Sequence, residues 1–299
     1  MTVSSGAGDF TSVVLTRPPA LAPLLARGAL RSPFKRFRPD AAFPTTRLVL
    51  PAVRTDLARL AAYERVCGFA TGDDALPITY PHVLGFPLAM SLMSGGDFPL
   101  PLLGLVHTSI HITRHSAPAA TGTYELAVHV AGLAPHRRGT EATVVTGLRS
   151  GGTLVWESTS TYLARHRTGA GARPGDRPSG LPGEPGVPLP AVAEWRLGGD
   201  VGRRYGAASG DRNPIHLSPL TARLFGFPRA IAHGMWTAAR CLAAHGVPEA
   251  ATVRVEFRAP VLLPGTVTYA SDGAGRFELR GGDGRGRVHV VGEVLPPLM

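Results

Sequence analysis

Lysine is all but absent from this 299-residue chain: of its 31 basic side chains, only Lys35 is not arginine. The formal charge of +10 therefore rests on guanidinium groups, a bias that a GC-rich coding sequence explains without selection for ammonium. The arginines are scattered, with short clusters at Arg31 to Arg38, Arg137-Arg138 and Arg203-Arg204. No helix-turn-helix or aromatic RNA-binding signature accompanies them, which argues against nucleic acid as a partner and leaves phosphate-bearing or acidic carriers as candidates. Cysteine is nearly as scarce. Cys67 and Cys241 lie far apart, outside any CxxC or CxxH context, so neither a disulfide framework nor a zinc site is indicated and a reducing cytoplasm is the expected location. Long apolar runs are missing too: Val13 to Leu15 and Leu21 to Leu25 are bounded by Pro or Arg, too short for a signal peptide or a membrane span. A hydrophobic content of 44% then describes a globular chain with room for two ordinary domains.

Glycine and proline are abundant, and they concentrate. His166 to Pro190 is so dense in both that no packed element fits there, and it reads as a linker between halves of similar length. The halves repeat each other. Tyr63-Glu-Arg-Val-Cys-Gly68 matches Tyr205-Gly-Ala-Ala-Ser-Gly210 at an offset of 142, and Gly85-Phe-Pro87 matches Gly226-Phe-Pro228 at an offset of 141. Ile110-His-Ile112 with Thr121-Gly-Thr123 answers Val253-Arg-Val255 with Pro264-Gly-Thr266. Each half places an apolar, helix-compatible stretch (Val83 to Met93; Ile231 to Ala244) before alternating β-branched runs. The pattern predicts an α+β fold of two units, each an antiparallel sheet wrapped around a central helix, paired as a pseudo-dimer within one chain. The expected boundaries are an N-terminal extension over 1–44, a first unit over 45–165, the linker over 166–190 and a second unit over 191–299.

Acid/base chemistry gathers in one place, Ser209-Gly-Asp211-Arg-Asn213-Pro-Ile-His216, followed by His233-Gly234-Met235. Pro214 stiffens the path between Asp211 and His216, and Asn213 is suited to hydrogen-bonding backbone groups that fix both side chains. At the 142 offset the first half offers Phe69, Thr71 and Asp74 in place of Asp211, Asn213 and His216. At the 141 offset Leu92-Met93-Ser94 stands for His233-Gly234-Met235. The first half is thus expected to be noncatalytic, with Leu84, Phe86, Leu88 and Met90 as candidate walls of an apolar tunnel. His107, His111 and His115 have metal-like spacing only on a helix, and the repeat puts His111 on a strand, so no metal is expected there. Cys241 has no positioned base and reads as structural.

These motifs together resemble the MaoC-like, R-specific enoyl-thioester hydratase/dehydratase family of hotdog folds. The signature elements are Tyr205, Ser209-Gly210-Asp211, Asn213-Pro214-Ile215-His216, Gly226-Phe227 and His233-Gly234-Met235. The duplicated layout over about 45 to 295, with Pro77-Ile-Thr-Tyr-Pro81, His107-Thr-Ser-Ile-His111 and His136-Arg-Arg-Gly139, looks more narrowly like the double-hotdog 3-hydroxyacyl-thioester dehydratases.

The resemblance implies reversible dehydration of (3R)-hydroxyacyl thioesters, carried by coenzyme A or acyl carrier protein, without metal or redox cofactor. It implies Asp211 and His216 as a catalytic dyad holding the water that joins or leaves C3, with Asn213 and Ser209 in support. Gly234, opening a helix, would set its free N–H groups and dipole against the thioester oxygen. His233 either touches substrate or caps the turn, and which dyad member is the base stays open. Two rivals also stay open: a noncatalytic acyl-thioester-binding protein and a hotdog thioesterase. So does assembly of the chain into a homodimer. Arg203, Arg204, Arg254 and Arg258 are conceivable phosphate contacts, though surface charge accounts for each.

Overall fold

The computed structural model describes residues 10–35, 41–167, 188–282 and 286–296; most of the linker expected at 166–190 lies outside the described residues. The first half runs β1 (Thr11–Val14), α1 (Leu21–Arg31), β2 (Thr46–Arg54), α2 (Leu57–Cys67) and α3 (Tyr80–Met93). Four strands follow, β3 (Val106–Arg114), β4 (Thr123–His136), β5 (Gly139–Ser150) and β6 (Thr153–Arg165). The second half runs β7 (Ala191–Leu197), α4 (Val201–Ser209), a 3₁₀ turn at Pro214–His216, α5 (Pro219–Arg223) and α6 (Gly234–His245). It closes with β8 (Ala251–Phe257), β9 (Gly265–Ser271), β10 (Arg276–Gly281) and β11 (Val288–Leu295).

The described strands form one sheet in the order β1-β2-β4-β5-β6-β3-β8-β11-β10-β9-β7. The second half mirrors the first about the antiparallel β3–β8 pair, where Ile110 faces Val255, His111 faces Arg254 and Ile112 faces Val253. The repeat equates His111 with Arg254 and, on either side, Ile110 with Val253 and Ile112 with Val255, so a pseudo-two-fold axis passes by the His111–Arg254 pair. Tyr63 and Tyr205, equated by the other match, also meet across it, with ring centroids 5.8 Å apart. Helix α3 packs on β4 and β5, and α6 on β10 and β11. Because a sheet curls around it, α3 is buried on nearly every side, which is why its sequence is apolar throughout rather than striped. Two sheets so wrapped and joined edge to edge make a double hotdog.

Local chemistry sets the same punctuation in both halves. Asp56 caps α2 by accepting hydrogen bonds from the N–H groups of Ala58 and Arg59, and Gly68 ends the helix at φ 82°. Gly210 ends α4 in the same way at φ 86°. The second sequence match does not survive folding. Gly85 lies inside α3, where its missing Cβ admits Thr146 of β5, whereas Gly226 is a left-handed loop residue before α6. Three shared letters do different work in the two halves, and Leu92-Met93-Ser94, at the far end of α3, is not the counterpart of His233-Gly234-Met235.

The residues between the paired helices explain the difference. Residues 68–79 join α2 to α3, while residues 210–233 join α4 to α6, a stretch twice as long. The first half lacks the extra loop altogether instead of carrying substituted residues in it. Before β2, residues expected only as an extension form β1, parallel to β2, and α1, which packs on α3. Lys35 fastens the end of this segment by donating to the carbonyls of Gly95 and Phe98 at 2.9 and 2.6 Å.

Candidate active site

Helix α4 provides a smooth seat for the longer loop. A Cβ on Gly202 would collide with the carbonyl oxygen of His216, and one on Gly206 would lie 2.8 Å from that of Asp211. Gly210 then turns the chain back across this face. Short bonds fix its path: the Asp211 N–H donates to Ser209 Oγ (3.2 Å), the Asn213 N–H to Asp211 Oδ1 (3.1 Å) and the Ile215 N–H to Asn213 Oδ1 (3.4 Å). Ser209 and Asn213 therefore act on the backbone around Asp211, and Pro214 starts the 3₁₀ turn that delivers His216.

His216 is 8% exposed, and its Nδ1–H donates to the Ile231 carbonyl at 2.8 Å. That bond leaves Nε2 with its lone pair available. Burial holds the imidazole below its usual pKa, against the opposing pull of the Asp211 carboxylate and the Ile231 carbonyl, so it is neutral near pH 7. His233 stacks on His216 with centroids 3.6 Å apart, and its Nε2–H donates to the Asp211 carbonyl at 2.9 Å. Burial first, and the neighbouring His216 second, lower its pKa to about 3. His233 makes no side-chain cap to α6. It bridges the two ends of the loop instead. Tyr205 also packs against its ring, with centroids 4.7 Å apart.

Donor atoms of Asp211, His216 and His233 lie within 4.8 Å of one another, a spacing that admits a cation as well as a water molecule. Two of the four imidazole nitrogens already bond backbone carbonyls. What remains suits a water that donates one hydrogen to the carboxylate and the other to His216 Nε2.

Gly234 opens α6, whose N-terminus has no side-chain cap. A Cβ there would stand 3.2 Å from the Phe257 ring, so the glycine keeps room at the helix end, where unsatisfied N–H groups and the helix dipole favour developing negative charge. Asp211, His216, His233 and Gly234 line one cavity of about 950 Å³. The first half supplies its apolar wall through Val83, Phe86, Met90 and Met93. Of the expected wall residues Phe86 and Met90 are present, but Leu88 is fully buried in the core and Leu84 does not line the cavity. Alternation picks the wrong residues on a helix, where every third or fourth position shares a face.

Other expectations fall into place on the same geometry. A bulge between His107 and Ser109 separates His107, which lines the cavity, from His111 and His115 on exposed positions. Cys241 and Cys67 are buried, and burial pushes both thiols up, which disarms them as nucleophiles. Arg203 donates to the Leu217 carbonyl, Arg204 pairs with Asp200, Arg254 with Glu293 and Arg258 with Glu256; of these only Arg258 lines the cavity. Sequence reasoning missed Gly202 and Gly206, although glycines one turn apart on a short helix are a legible sign of close packing. It also missed the Ile231 carbonyl, which no side chain announces, and the cavity histidines His82 and His107.

Known proteins resemble this chain over most of its length. The model of the MaoC like domain matches residues 188–289. The chain is 38% identical over 268 residues to 3-hydroxyacyl-thioester dehydratase X of Mycobacterium tuberculosis, covering 89% of this chain and 93% of that protein. It is 33% identical to 3-hydroxyacyl-thioester dehydratase Y of the same organism, over 60% of this chain and 68% of that one. The crystal structure of M. tuberculosis HtdX superposes with a TM-score of 0.71 at 35% identity, covering 84% of this chain and 100% of that one. With that likeness running through both halves, and with the motif, the double hotdog and the loop geometry in hand, the chain belongs to the MaoC-like dehydratase family.

Proposed function

We propose that this protein catalyses the reversible dehydration of (3R)-3-hydroxyacyl thioesters to trans-2-enoyl thioesters, with Asp211 and His216 as the catalytic dyad. The observation that carries the reading is the meeting of three groups in one cavity: the Asp211 carboxylate, a neutral His216 with a free Nε2, and the uncapped N-terminus of α6. In dehydration the dyad takes the C2 proton as negative charge gathers on the thioester oxygen beside Gly234. The C3–O bond then breaks, and the hydroxyl leaves as water carrying that proton, so the dyad ends as it began. Hydration reverses each step. His233 is a positioning residue, holding the Asp211 backbone against His216. The dehydratase names of the similar M. tuberculosis proteins support the reaction class.

Five arginines line the cavity, Arg137, Arg138, Arg165, Arg258 and Arg287, against the glutamates Glu141 and Glu256. That excess favours a thiol carrier with phosphate groups or an acidic surface, coenzyme A or acyl carrier protein. Two buried, unbridged cysteines agree with a reducing, cytoplasmic setting.

Incubation with crotonyl-CoA tests the reading. Chiral product analysis is expected to yield the (3R)-hydroxy thioester without release of free thiol, at a rate that EDTA does not change. Thiol release identifies a thioesterase, and binding without conversion identifies an acyl-thioester-binding protein. Loss of activity in EDTA that zinc restores identifies a cation at Asp211, His216 and His233.

A further inference from the structure

Helix α3 brings more than an apolar wall to the cavity. His82 lies in its first turn, at the head of the stripe that continues through Phe86, Met90 and Met93. His107, at the start of β3, stacks beside it with centroids 5.7 Å apart and rings 13° from parallel. Tyr162 backs His107 at 4.5 Å, and Phe257, the residue over Gly234, flanks it at 4.9 Å. The pair therefore stands where the acyl wall meets the reacting end, and the Asp211 charge reaches His82.

Neither ring is satisfied. His82 Nδ1 and His107 Nε2 are buried without a hydrogen-bond partner. Burial lowers the pKa of both imidazoles, His82 to about 4, so they are neutral at pH 7. An unpartnered nitrogen of a neutral imidazole is either an N–H or a lone pair, and a hydroxyl, which both donates and accepts, satisfies it in either state. An all-carbon acyl chain laid along this stripe would leave the two nitrogens unpaired, at a cost that substrates bearing a matching group avoid.

We propose that His82 and His107 form a hydroxyl-recognition site in the acyl channel, and that the preferred substrates carry a hydroxyl group on the acyl chain beyond the reacting C2–C3 bond. The inference rests on the acyl-thioester reading of this cavity and names the class of acyl group within it.

Binding of saturated, unreactive ligands tests the proposal independently of turnover. Calorimetry would compare octanoyl-CoA with octanoyl-CoA hydroxylated singly at each carbon from C4 to C8. At least one hydroxylated ligand is expected to bind the wild-type protein about tenfold more tightly than octanoyl-CoA, the equivalent of ~1.4 kcal/mol. In a His82→Leu/His107→Leu variant that preference is expected to vanish while octanoyl-CoA binds at least as well. A wild-type protein that favours no hydroxylated ligand overturns the proposal whether or not the variant folds, and so does a preference that survives both substitutions. Failure of crotonyl-CoA hydration alone would strike the dehydratase reading and leave this ligand preference standing.

Discussion

At the scale of single residues the site is governed by what burial does to imidazole. His216 is held neutral below its ordinary pKa, and Asp211 opposes that shift. The acid limb of kcat/KM for hydration is therefore expected below pH 6.5, and in the residual activity of Asp211→Asn it should move lower still, since the carboxylate that favours imidazolium is gone. A limb at or above 6.5 in the wild type would contradict a buried, neutral His216. The same physics acts on stability. The unfolded chain, with histidines near 6.5, takes up protons that His233, at about 3, and His82, at about 4, refuse when folded. Stability should fall as pH drops from about 6.5 toward 3, and His82→Leu should flatten that slope in Tm measured against pH. An unchanged slope in that variant would show His82 to be solvated. Asp211, Asn213 and His216 were legible as a group because Gly, Pro and Asn in a fixed order leave few backbone paths. The carbonyl that fixes His216 was not legible, since Ile231 offers no side-chain signal, and His82 and His107 were not legible as cavity residues because they belong to the other half of the chain.

At the scale of elements, the seat matters as much as the side chains on it. Gly202 and Gly206 let residues 211–216 lie directly on α4. Gly202→Ala is expected to lift His216 away from the Ile231 carbonyl and lower kcat on the order of 10²-fold, the effect of displacing a catalytic group by about 1 Å. Circular dichroism should show the fold retained. Wild-type kcat in Gly202→Ala would mean that the loop holds its position without α4. Periodicity found the two central helices, α3 and α6, to within a few residues and located β4, β5, β6, β8, β9 and β11, because those helices are long and the β-branched runs alternate; the shorter α1, α2, α4 and α5 gave no such signal. It failed where identical letters occupy different structures. Gly85-Phe86-Pro87 is helix and Gly226-Phe227-Pro228 is loop, a distinction fixed by Thr146 packing on one glycine and by the left-handed φ of the other.

At the scale of the whole molecule, the two halves line one cavity and form one sheet. β8 is paired on both sides, with β11 and β3. Trp236 donates to the Val66 carbonyl at 2.8 Å, and Arg59 to that of Ala208 at 2.7 Å, each across the junction. A fragment of residues 188–299 alone would expose the β8 edge and the α4–α6 surface. Light scattering is expected to find it self-associated or aggregated, and a monodisperse monomer would contradict the dependence of one half on the other. The duplication was visible in sequence because the axis residues, Tyr63 with Tyr205 and His111 with Arg254, fall within matched segments. The cavity between the halves was not, since its walls come from residues far apart in the chain. We propose that the loop over 210–233, which the first half lacks, performs the chemistry. The most direct measurement follows the loss of enoyl-thioester absorbance with trans-2-octenoyl-CoA for the wild type, Asp211→Asn, His216→Ala and Asp74→Ala. The account predicts that the two dyad variants lose on the order of 10²- to 10⁴-fold in kcat while Asp74→Ala stays within about threefold of wild type. Near-wild-type rates in both dyad variants, or a hundredfold loss in Asp74→Ala, would contradict it.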